Sequence, residues 1–210
     1  MLLFRPVGLE ELHLVYDAGM RAFPPRLPDQ PIFYPVLNED YAAQIARDWN
    51  TKTGTRAGFV TRFEVDDGYA GGFERHVVGS REHEELWVPA EDLDAFNSQI
   101  RNPIVVTKAF FGDDYQGLVP DSFGLRGKNA RQQFVALAKT LPYSGMDFVL
   151  EIAANHRAVY LNFSFWAMED FAADGIDASE KARVLDAIHA AWRKGEHAEV
   201  PLAVERRGLS

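Results

Sequence analysis

Four prolines fall within nine residues of this chain, in Phe23-Pro24-Pro25-Arg26-Leu27-Pro28-Asp29-Gln30-Pro31, and no other stretch limits its fold as much. Each proline fixes φ and removes a backbone donor, so the segment is predicted to be an extended, ordered loop rather than helix or central strand. What lies on either side must then be separate elements. Before it, Leu2 to Arg5 reads as a short strand. Residues 9–21 follow as an amphipathic helix, with Leu9, Leu12, Tyr16 and Met20 at helical spacing. After it, Ile32 to Val36 reads as a second short strand. Asn38 then caps a helix in which Tyr41, Ile45 and Trp49 recur every four residues, with Glu39 and Asp40 in the first turn where the helix dipole favours them.

From Phe59 to Val65 the pattern alternates, with Phe59, Thr61, Phe63 and Val65 on one face and Val60, Arg62 and Glu64 on the other, which predicts a half-buried strand. The Gly-rich segment Asp66 to Ser80 is expected to hold a turn and a weaker strand around Phe73 to Val78. A strand Glu85-Leu86-Trp87-Val88 runs into Pro89. A helix with Leu93, Phe96 and Ile100 on one side follows, and then a strand from Ile104 to Phe111. Residues 113–127 are loop-like, and beyond them the pattern restarts. A helix is expected from Asn129 to Leu141. Two strands, Asp147 to Ile152 and Arg157 to Phe165, are expected as a hairpin across Ala154-Asn155-His156. Asp177 and Glu180 open a last helix with Leu185, Ile188 and Trp192 facing inward and Gly195 after its end. The sum is an α+β protein. Residues 1–112 form one domain, and residues 113–210 form an α+β C-terminal region of helix, β-hairpin and helix that is either its own domain or a wall of the same core.

Composition narrows the chemistry. The chain has no cysteine, which excludes disulfides, thiolate zinc sites and a cysteine nucleophile. Its formal net charge of -9 opposes binding to nucleic acid and to anionic membranes, both of which need a surplus of Lys and Arg. The six histidines show no metal-ligand spacing, so no metal is expected. The N-terminus lacks the pattern of a secretory signal, and Ala158 to Met168 is too short and too interrupted to span a bilayer, so a cytoplasmic protein is expected. The run Gly124-Leu125-Arg126-Gly127-Lys128-Asn129 fails as a phosphate loop, because Ser122 stands where the first Gly is needed and Asn129 where Ser or Thr would hold Mg²⁺. Arg126, Lys128 and Arg131 at that helix start either hold an anion or form an ordinary basic turn.

One ordered constellation carries a functional expectation. Arg5 ends the first strand, Tyr34 precedes a helix, and His83-Glu84-Glu85-Leu86-Trp87-Val88-Pro89 opens a later strand. This order resembles the three-part signature of ADP-ribosyltransferases, over roughly Leu2 to Phe111. The joined text Arg5-Pro6-Val7-Gly8, Pro24 to Pro28, Gln30 to Val36 and Glu85 to Glu91 is also similar to bacterial proteins labelled "ADP-ribosylation/crystallin J1". The hydrolases in that label are helical and hold Mg²⁺ with many carboxylates, a cluster the strand-rich first half lacks.

The resemblance implies a split β-sandwich with NAD⁺, as substrate, in the cleft between its sheets. It implies an NAD-dependent ADP-ribosyltransferase or NAD glycohydrolase acting on an unknown acceptor. Breaking the nicotinamide–ribose bond develops positive charge on the ribose, which a fixed carboxylate stabilises in the transition state. Glu85 takes that role. Arg5 would hold phosphate or ribose, Tyr34 would stack on nicotinamide or hold the ribose, and His83 lies beside the cofactor. The chain departs from the family twice. Ile32-Phe33-Tyr34 stands where Arg-bearing members carry Ser-Thr-Ser. His83 stands two residues before Glu85, where arginine-modifying members place Glu or Gln, so no acceptor follows.

Each residue also has a plainer reading. Glu84 and Glu85 are then exposed acids at the head of a strand, Arg5 a surface residue, and Tyr34 a core ring whose hydroxyl meets the backbone. The competing functional class is a non-catalytic binding protein on the same scaffold. It predicts an exposed apolar patch around Tyr160, Phe165 and Trp166.

Overall fold

The computed structural model describes residues 1–78 and 83–202, so Gly79 and Ser80, the end of the expected Gly-rich segment, lie outside the described residues. The chain divides into two compact units, Met1–Asp114 and Tyr115–Ser210. In the first unit the order is β1 (Leu2–Val7), α1 (Leu9–Asp17), β2 (Ile32–Phe33), α2 (Glu39–Asp48), β3 (Ala57–Glu64), α3 (Asp67–Ala70), β4 (Glu74–Val77), β5 (Glu84–Pro89), α4 (Leu93–Asn97) and β6 (Val105–Phe111). The strands make two three-stranded antiparallel sheets, β1-β3-β6 and β2-β5-β4. Backbone bridges Phe4↔Val36 and Val36↔Glu85 join them, so across the seam the strands run β4-β5-β2-β1-β3-β6.

The proline-rich segment between α1 and β2 is neither helix nor strand. Asn97 ties it down. The Phe23 amide donates to Asn97 Oδ1 at 2.9 Å, and Asn97 Nδ2 donates back to the Phe23 carbonyl at 2.9 Å. The Phe23 ring then packs against Phe33 and Phe63, and Phe96 meets both of these, an aromatic core that fills one side of the seam.

Two expectations change here. The central strand β3 is buried on both faces rather than one, because α2 covers Val60 while Phe63 lies in the aromatic core. The covering face of α2 is Ala42, Ala43 and Ala46 with Tyr41 packed at its edge, rather than a stripe of Tyr41, Ile45 and Trp49, and Trp49 is 71% exposed. The cause is Gly58. A Cβ there would lie 2.6 Å from the Ala46 carbonyl carbon, so the helix sits on the strand at backbone distance and only alanines fit between them.

The second unit is helical: α5 (Ala130–Tyr143), α6 (Gly145–Ala154), α7 (His156–Met168) and α8 (Ala178–Trp192). The expected β-hairpin is therefore wrong, since both of its arms are helices. Ser144 caps α6 by accepting from the Asp147 amide at 3.2 Å, and Asn155 is the break between α6 and α7. Helix α7 buries Ala158 to Phe163 without interruption, so its sequence shows a continuous apolar run rather than an amphipathic period, and such a run reads equally well as a buried strand. The cap expected at Asp177 is present, and the structure adds one at Asn129, in a full capping box with Gln132. Among the described residues no helix is long and apolar enough to cross a membrane.

Candidate active site

Bridged residues on neighbouring strands share a face, so Phe4, Val36 and Glu85 project from one side of the seam. Phe4 and Val36 are buried beneath α2. Glu85, at the head of β5, is half-buried and reaches the first turn of that helix, where the Tyr41 hydroxyl donates to its Oε1 at 2.8 Å. Asn38 sets that turn by accepting from the Asp40 and Tyr41 amides. Around the carboxylate the same sheet face carries rings in contact. Tyr41 stacks on His83 at 4.0 Å between centroids, His76 stacks on Trp87 at 3.9 Å, and Tyr34 meets Trp87 edge-on at 5.6 Å. The Tyr34–Trp87 contact and the Glu85, Trp87 alternation put Tyr34 on the Glu85 face. His83 Nδ1 lies 3.1 Å from the Val78 carbonyl.

Arg5 is placed differently. It follows Phe4 on β1 and so projects from the opposite face, where it is buried and its guanidinium lies 4.5 Å over the Phe33 ring. Its Nε donates to Glu11 of α1 at 2.7 Å, and its Nη1 to the Tyr34 carbonyl at 3.2 Å. The structure thus gathers Glu85, Tyr34 and His83 on one face. It leaves Arg5 across the sheet, joined to Tyr34 through the backbone and already paired with a carboxylate. Three members of the cluster, Tyr41, His76 and Trp87, were given no functional role by the sequence. Tyr41 reads as one more residue of an apolar helical stripe, and its bond to Glu85 closes over 44 residues.

Burial first, and then the hydrogen bond and charge of Glu85, push the Tyr41 hydroxyl up to about 12. At neutral pH it is therefore a proton donor that holds the carboxylate in one orientation. The folded state keeps this proton where an unfolded tyrosine has begun to release it. The stabilisation is present below pH of about 10 and is lost as the pH rises through about 12. Tyr41→Phe is expected to be less stable than the native chain by about 1 kcal/mol at pH 8, a hydrogen bond's usual net worth. Urea midpoints should converge toward pH 11–12; a gap that stays constant with pH would show that it does not come from this bond, and no gap at pH 8 would show the bond to be without effect.

In the second unit the expected apolar patch is absent, because Tyr160 and Trp166 are buried and Phe165 is half-buried. Exposed apolar side chains gather instead at the end of α5 and along α6, at Tyr143, Met146, Val149 and Leu150, with Val119, Phe123 and Met168 exposed elsewhere in the unit. The basic start of α5 is also accounted for in part. The Asn129 side chain takes the Gln132 amide, and Arg131 turns to Glu169 and Asp174, both at 2.7 Å. A mostly apolar cavity of about 590 Å³ lies between α6 and the end of α8, lined by Phe123, Ile152, His156, Trp192 and His197 among others.

The chain matches no protein family, no curated protein and no solved structure in comparison with known ones.

Proposed function

We propose that the protein cleaves NAD⁺ at the nicotinamide–ribose bond and transfers ADP-ribose to an acceptor or to water, with Glu85 as the catalytic carboxylate. The observation that carries this reading is a carboxylate held by a tyrosine hydroxyl at 2.8 Å on a half-exposed sheet face lined with rings. Planar side chains suit a planar leaving group, and a fixed negative charge suits a sugar that becomes cationic as the bond lengthens. The resemblance of Arg5, Tyr34 and Glu85 in sequence order points the same way, as does the adjacency of their strands β1, β2 and β5 at the seam between two sheets.

In this reaction the nicotinamide nitrogen leaves with the electron pair of the glycosidic bond. The acceptor's lone pair closes on the ribose carbon, and the acceptor proton passes to Glu85 or solvent. Tyr34 stacks on the nicotinamide or holds the ribose, and His83 braces Tyr41. Arg5 acts as a positioning residue that holds the Tyr34 backbone, in place of the direct clamp expected from its motif.

Incubation with NAD⁺ should release nicotinamide. Glu85→Gln, which keeps size and whose amide oxygen can still accept the Tyr41 hydrogen bond, is expected to lower that release at least about 100-fold, comparable to removing one preorganised electrostatic group. Its melting temperature should stay close to the native value. Native protein that releases no nicotinamide, or a Glu85→Gln variant that keeps native turnover, would count against the reading.

A further inference from the structure

On the Arg5 side of the sheet, one carboxylate faces two guanidinium groups. Arg5 donates to both oxygens of Glu11, at 2.7 and 3.3 Å, and Arg26 Nη1 lies 3.8 Å from the same Oε1. The three side chains are 8%, 11% and 22% exposed for Arg5, Arg26 and Glu11. The other bonds of the two arginines go to neutral oxygens: Arg5 Nη1 to the Tyr34 carbonyl and Arg26 Nη2 to Gln30 Oε1 at 2.6 Å. Arg26 Nε is buried and meets no acceptor among the described residues.

A guanidinium stays charged in a protein, and a buried one is ordinarily paired and fully hydrogen-bonded. Here two positive charges share one negative charge, and a donor is left over. Pro24, Pro25 and Pro28 fix the backbone on both sides of Arg26, which holds the side chain against its neighbour despite like charge. Burial and Arg5 both pull the Arg26 pKa down, while Glu11 and Tyr34 pull it up, in keeping with a cation placed beside another cation.

We propose that this cluster is an oxyanion site in which Arg26, through Nε and the surplus charge it shares with Arg5, binds a phosphate or carboxylate group of a ligand. The missing partner is an anion that offers oxygens to a planar donor fork, the geometry at which arginine excels. The inference does not require NAD⁺ cleavage, although Arg5 belongs to both readings. Arg26 has no part in the three-residue constellation, and the cluster lies on the sheet face opposite Glu85.

Thermal unfolding of the full chain tests it, in anion-poor buffer and then with inorganic phosphate, acetate or ADP added at constant ionic strength. At tenfold over its dissociation constant one of these should raise the native Tm by about 3 °C. Arg26→Gln should lose that rise. Without added anion it should melt at or above the native temperature, because the like charge beside Arg5 is gone, whereas Arg26→Lys should keep part of the response. A response to ADP alone identifies a nucleotide phosphate, one to acetate alone a carboxylate, and one to phosphate a free or phosphoryl oxyanion. Three results overturn the proposal: a native Tm that none of the three moves, an equal rise in Arg26→Gln, or an Arg26→Gln chain that fails to fold or melts lower without anion. The last would make Arg26 a structural tie to Glu11.

Discussion

Gly58→Val is expected to destabilise the first unit by more than about 3 kcal/mol, beyond the usual range for overpacking a core. The reason lies in what the new side chain would meet. Even a Cβ at position 58 would come within 2.6 Å of the Ala46 carbonyl carbon and 2.8 Å of its Cα. These are backbone atoms of α2, so no rotamer change relieves the contact, and either the helix lifts or β3 bends. Lifting α2 would uncover the buried Phe4, Val36 and Val60 and carry Tyr41 away from Glu85. Stability and the candidate site should therefore fail together. Urea unfolding followed by circular dichroism checks the first, and nicotinamide release checks the second. A native urea midpoint in Gly58→Val would mean that the helix does not rest on this strand.

The other large effect belongs to the second unit. Asn162 is fully buried and makes four hydrogen bonds near 3.0 Å: it accepts from the Tyr115 hydroxyl and the Leu118 amide, and donates to the Leu118 carbonyl and to Gln133 Oε1. Gln133, also buried, donates to the Leu118 and Lys128 carbonyls. This network pins residues 115–118 onto α5 and α7, past Gly117. That glycine has φ +75, and a Cβ there would lie 2.7 Å from Ala130 Cβ. Asn162→Leu keeps the volume and removes every polar partner. Each donor or acceptor stranded in the interior costs about 1–3 kcal/mol, so a loss of roughly 4 kcal/mol is expected. Denaturation monitored by tryptophan fluorescence would detect it, since Trp166 and Trp192 are buried in this unit. A change below about 1 kcal/mol would show that the network does not anchor the segment.

Sequence reasoning succeeded where a local rule decides the outcome. Asn38 and Asp177 cap helices because their side chains reach amides two or three residues on, a relation visible in the text. The proline-rich segment is irregular because the prolines permit little else. It failed where burial is uniform. In α7 the apolar residues occupy the whole circumference, and no period remains to separate helix from strand. Ser144 and Asp147 did carry a capping signal that would have corrected the hairpin. The candidate site was legible only in part. Glu85, Tyr34 and His83 share a face, but whether Arg5 joins them depends on which way β1 alternates relative to β2, a register set by the Phe4↔Val36 bridge between residues far apart in sequence. Nothing in linear spacing announces that pairing, nor the carboxylate of Glu11 that engages Arg5.

The seam between the sheets is narrow. Phe4 and Val36 exchange both of their amide bonds, at 2.9 and 2.8 Å, while Pro6, at the next bonded position of β1, has no hydrogen to extend the ladder. The junction therefore depends on the packing of α2 over Phe4, Val36 and Val60 more than on its own hydrogen bonds. Were that packing lost, the two halves would part along this line first, and deuterium uptake at these two amides would register the opening directly.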